Sequence, residues 1–133
     1  MKPVIRAQVT LAVIALAAGA LGLARASGSF TNRDGRDIGY GALELHLMSY
    51  NRLGGLITLA LAALALIGAV RRKPALVAIA AAGFAAFAVQ VMIGFRRISG
   101  GNVTGGNGAT LSFCFMMTIG LATLVWAQRA TST

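Results

Sequence analysis

The sequence predicts an all-α fold: an integral membrane bundle of four antiparallel spanning helices, with one longer loop between the first two. Three observations carry that reading. Four apolar runs divide the chain, at 7–24, 53–70, 75–95 and 109–127, and none contains a charged residue. Each run is close to the ~20 residues that take a helix across a bilayer core. The basic residues gather at the ends of the runs, as they do at membrane interfaces. Composition agrees, at 57% hydrophobic and 11% charged, with a mean hydropathy of +0.77. Soluble domains carry about 25% charged residues. A soluble chain of 133 residues has too much surface for its volume to hide so much apolar area.

The first run, AQVTLAVIALAAGALGLA, lies between Arg6 and Arg25. A basic start and the small residues Ala24 and Ala26 also suit a signal peptide; the expectation is a retained first span. The second, LGGLITLALAALALIGAV, lies between Arg52 and Arg71. The third follows Pro74, whose fixed φ suits the first turn of a helix, and stops at Arg96. The fourth runs up to Gln128 and Arg129, with Thr110 as a candidate cap. Helices satisfy their own backbone in lipid, so these runs are read as helices. The whole chain, 1–133, forms one membrane domain.

The connections are unequal. Residues 71–74 (RRKP) make a tight turn, 96–108 a medium loop, and 25–52 a segment long enough for a small structured cap. In the last of these, Leu43, Leu47 and Tyr50 suit one face of an interfacial helix, whereas Leu43, Leu45 and Leu47 alternate as in a strand; both readings stay open. With both termini inside, Lys2, Arg6, Arg71, Arg72, Lys73 and Arg129 face the cytoplasm, against an equal number outside (Arg25, Arg33, Arg36, Arg52, Arg96, Arg97). The dense RRK turn and the usual dominance of the first helix favour cytoplasmic termini.

Several chemistries are disfavoured. The charge of +9 resides at span ends, which points to anionic headgroups and away from nucleic acid. A single cysteine, Cys114, excludes a disulfide within the chain. The only histidine, His46, lies two residues from Glu44, which is not a metal-ligand spacing. No Asp, Glu, Lys, Arg or His falls inside any run, which argues against a proton-coupled pump built from this chain alone and against a haem anchor. No metal, cofactor, soluble small-molecule substrate or catalytic residue is expected, and the chain is not read as an enzyme.

What remains is packing and docking. Ala78, Ala82 and Ala86 recur at four-residue spacing and end in the amide of Gln90. Ala18 and Gly22 in the first run, and Gly54 and Thr58 in the second, repeat the pattern. Small residues let membrane helices approach closely and amides bond across them. These eight positions are the candidate helix-packing interface, within the bundle or against another protein. Arg33, Arg36, Tyr40 and Tyr50 are candidate exposed contacts of the first loop, and Arg96 and Arg97 candidate headgroup contacts. The glycine-rich stretch SGGNVTGGNG after them reads as a flexible hairpin, because it lacks the lysine and flanking strand of a phosphate-binding loop.

GGNGATLSFCF at 105–115 resembles the Gly-Gly-x-Thr-Thr-Phe-Ser-x-Phe stretch of small dimeric fluoride channels, but that family sets it in its third span and has an asparagine in the second that is missing here. The small multidrug transporters share only the span number, since the glutamate of their first span has no counterpart. The Ala-, Gly- and Arg-rich spans, such as AIAAAGFAAFAVQ at 78–90, resemble those of small four-span accessory proteins in actinobacterial envelope and respiratory complexes. That resemblance implies a larger integral membrane partner, such as an MCE-type lipid transporter or a terminal-oxidase complex, and carries no functional residue over. The expected role is a non-catalytic accessory subunit in a bacterial cytoplasmic membrane, in contact with partner subunits and lipid. The alternative is a small homo-oligomeric channel or transporter with its path between protomers.

Overall fold

The computed structural model describes residues 2–26, 36–38, 48–96, 106 and 108–131. Four helices account for almost all of them: α1 Pro3–Arg25, α2 Arg52–Val70, α3 Pro74–Arg96 and α4 Gly108–Thr131. Each is long and apolar enough to cross a membrane. The helices extend beyond the uncharged runs and take in flanking basic residues, because an arginine forms helix as readily as a leucine. Between α1 and α2, β1 (Arg36–Ile38) pairs antiparallel with β2 (Met48–Tyr50), with Arg36 opposite Tyr50.

Each helix packs on two neighbours in the cyclic order α1, α2, α3, α4. Leu23 lies against Gly55 while Gly19 meets Leu59. Gly68 meets Val77 while Leu61 meets Gly83. The Thr118 hydroxyl reaches Ala81 while Phe113 stands edge-on to Phe84. Leu11 meets Gly120 while Gln8 bonds Gln128.

The inward faces differ in composition. Beyond Ile5 and Gln8, α1 buries small residues, Ala12, Ala15, Ala18, Gly19 and Gly22, and α2 does likewise with Gly54, Gly55, Ala62, Ala65 and Ala69. α3 and α4 bury large residues, Val77, Phe84, Phe87, Val91, Met117, Leu121 and Val125, beside the small Ala80, Ala81 and Ala88. Glycines bring α1 and α2 close together. A Cβ added at Gly19 would stand 2.8 Å from the Leu59 backbone nitrogen, and one at Gly55 would stand 2.8 Å from that of Leu23. Many large apolar side chains point outward instead, among them Ile119 at 65% and Trp126 at 72% exposure.

The helix ends follow local chemistry. Asn51 caps α2, its Oδ1 accepting from the Gly54 N–H at 2.8 Å. α2 ends in a paired closure: the Lys73 N–H donates to the Gly68 carbonyl and the Arg72 N–H to that of Ala69, at 2.8 and 3.1 Å. That closure requires a left-handed residue at Arg72, which has φ 55°. Glycine is the usual occupant, and an arginine there costs on the order of 1 kcal/mol. Pro74 then opens α3, as its position predicts. Thr110, expected as a cap, is instead buried within the first turn of α4, because that helix begins earlier, at Gly108.

Candidate functional site

The eight candidate packing positions fall into two groups. Ala18, Gly22, Gly54 and Thr58 are buried, so the chain uses them for its own packing, chiefly where α1 meets α2. Ala82 and Ala86 are exposed on the outer side of α3, with Ala78 and Gln90 half-buried beside them. Along that side the exposed residues run Ile79, Ala82, Ala86, Val89, which makes a shallow notch between two large side chains. Spacing alone does not separate the groups: both repeat small residues at helical intervals, and only the bundle decides which stripe faces inward.

Among the docking candidates, Arg36 falls in β1 and Arg96 closes α3, while Arg33, Tyr40 and Arg97 lie outside the described residues. Tyr50 corrects the expectation of an exposed contact, since it is 0% exposed. A helix running through Tyr50 into α2 is not formed either; Met48–Tyr50 is a strand and Asn51 starts the helix. The reason is a fit between ring and glycine. The Tyr50 ring covers Gly22, where a Cβ would come within 2.7 Å of it, and meets Phe87 edge-on at 6.2 Å and 74°. Burial pushes its phenol above the ordinary value of 10, with the nearby Thr58 hydroxyl opposing the shift and Cys114 adding to it. The two hydroxyls are neighbours without hydrogen-bonding geometry, and among the described residues neither has a hydrogen-bond partner. Most of the glycine-rich hairpin lies outside the described residues; Gly106 is buried against Val91 and Thr110.

Two features were not legible as contacts in the sequence. The Gln8 amide donates to the Gln128 side-chain oxygen at 2.9 Å, joining the first and last helices. Both glutamines are visible as rare amides in or beside apolar runs, but nothing local pairs them. The second is a cavity of about 180 Å³ at the same end, lined by Lys2, Val4, Ile5, Arg72, Gln128 and Thr131. It brings the start of α1, the 71–73 turn and the end of α4 together.

Compared with models of protein families, with curated proteins and with solved structures, the chain matches none.

Proposed function

We propose that this chain is a four-span antiparallel bundle of a bacterial cytoplasmic membrane, with both termini cytoplasmic, acting as a non-catalytic accessory subunit of a larger membrane complex. The observation that carries the reading is the notch at Ala82 and Ala86, small residues turned outward from the chain's own core. In lipid, helix association draws on close van der Waals contact, and small residues permit it. Val13, Ile14, Phe115, Ile119 and Trp126 give the rest of the exterior an apolar character suited to acyl chains. Arg33, Arg36, Tyr40, Arg96 and Arg97, in or next to the two longer connections, supply docking contacts outside the bilayer. A lipid-transport or respiratory assembly of the actinobacterial kind is the host that the resemblance of the spans suggests.

The test is gentle extraction from the native membrane through a C-terminal tag, with the co-extracted proteins quantified. A larger integral membrane protein at fixed ratio, lost when Ala82→Leu and Ala86→Leu fill the notch, supports the reading. Recovery of copies of this chain alone moves the assignment to a homo-oligomeric channel or transporter.

A further inference from the structure

The end of the bundle that holds the cavity is basic. Lys2, Arg6, Arg71, Arg72, Lys73 and Arg129 all belong to it, whereas the acids Asp34, Asp37 and Glu44 fall in the sequence between α1 and α2. Among the described residues no carboxylate side chain faces the cavity. Lys2 and Arg72 reach its lining from different elements, and Gln128 and Thr131 add an amide and a hydroxyl. The first turn of α1 opens on the same space through Val4 and Ile5, and leading N–H groups of a helix have no partner within it.

Arg72, whose backbone φ of 55° belongs to the closure of α2, also sends its side chain to the cavity lining. Trp126, 72% exposed one turn before the end of the cavity's α4 lining, sits where indoles meet the headgroup layer.

We propose that this cavity binds the phosphate of an anionic glycerolipid headgroup, with Lys2 and Arg72 as the paired cations and the Gln128 amide N–H donating to a phosphate oxygen; the Thr131 hydroxyl, whose own proton goes to the Ala127 carbonyl, accepts from a headgroup hydroxyl. The site rests on the membrane-spanning reading but not on the accessory role. Phosphate is the shared chemistry, and the lipid is favoured because the cavity lies at one end of an apolar bundle, with Trp126 exposed near the same end of α4.

The full-length protein is first checked for detergent dependence; a chain that stays dispersed without detergent removes the membrane reading before any lipid is added. It is then placed in nanodiscs of equal phosphatidylglycerol and phosphatidylcholine, and the lipid retained on mild extraction is counted by native mass spectrometry. The wild-type chain retains phosphatidylglycerol preferentially, and Lys2→Gln and Arg72→Gln each lower that preference about fivefold. Arg72→Gly does the same while keeping the melting temperature at or above wild type, which separates lost binding from lost folding. Arg52→Gln, removing an exposed cation at the opposite end, leaves the preference unchanged. Equal retention by wild type and the cavity variants overturns the proposal, as does an equal loss in Arg52→Gln. Stabilisation by inorganic phosphate without lipid preference overturns the lipid assignment and makes free phosphate the ligand.

Discussion

Gln8 and Gln128 meet amide to amide at 2.9 Å across 120 positions of sequence, so the last turns of α4 are tied to the second turn of α1. The bond closes the ring of helices where no connection joins them, since α1 and α4 carry the two ends of the chain. An apolar contact accompanies it, Leu11 against Gly120.

Replacing either glutamine by leucine leaves the other amide without its partner in an apolar setting. Each single change is expected to lower stability, and the double change by less than their sum. The coupling should be near 0.6 kcal/mol and below about 1.7 kcal/mol, the range found for bonds between membrane helices. A thermal double-mutant cycle in detergent measures it; strict additivity would mean that the pair is not coupled.

The α1–α2 seam is the least tolerant surface. Gly19→Val and Gly55→Val set a branched side chain against backbone that already lies 2.8 Å from a bare Cβ position. Overpacking of this kind costs about 1–3 kcal/mol, so folded yield after extraction should fall sharply. Ala82→Leu, on the exposed side of α3, is expected to leave the melting temperature nearly unchanged. Equal damage from the two kinds of change would contradict the assignment of inner and outer faces.

The existence of the four helices was legible because run length and charge placement act locally: uncharged runs bounded by Arg25, Arg52, Arg71 and Arg96 lead to α1–α4, whereas their ends, such as Pro3 and Gly108, lie beyond the runs. The turn at 71–74 followed from Pro74 for the same reason. The split between Gly22 and Ala86 was not legible, because a small residue reads alike whether it faces a neighbour helix or the outside. Tyr50 was misplaced because its burial depends on Gly22, a residue distant in sequence whose missing side chain makes room for the ring. The basic cavity was hidden in the same way, being assembled from three separate chain segments.

Tyr50→Phe removes a buried hydroxyl that has no partner among the described residues. It is expected to hold or raise stability, by about 1 kcal/mol. The phenol's folded pKa is raised above its unfolded value, so the folded chain keeps a proton that the unfolded chain releases. That contribution is full below about pH 10 and is lost as pH rises beyond it. Melting curves taken across alkaline pH should fall for wild type and fall less for Tyr50→Phe; destabilisation of the variant at neutral pH would mean that the hydroxyl is bonded.

Arg72→Gly relieves the left-handed backbone at φ 55°. A gain of about 1 kcal/mol is expected, read as a higher melting temperature in detergent. Arg72→Ala, which keeps the Cβ, should not show that gain. Identical behaviour of the two variants would argue that backbone conformation contributes nothing at this turn.

The central claim, that the outer face of α3 meets a different and larger membrane protein, is tested most directly by photo-crosslinking from position 82 in the native membrane. The account predicts one dominant adduct between this chain and a larger integral membrane protein, absent when the photoreactive group is moved to the buried position 80. An adduct joining two copies of this chain, or lipid adducts alone, would contradict it.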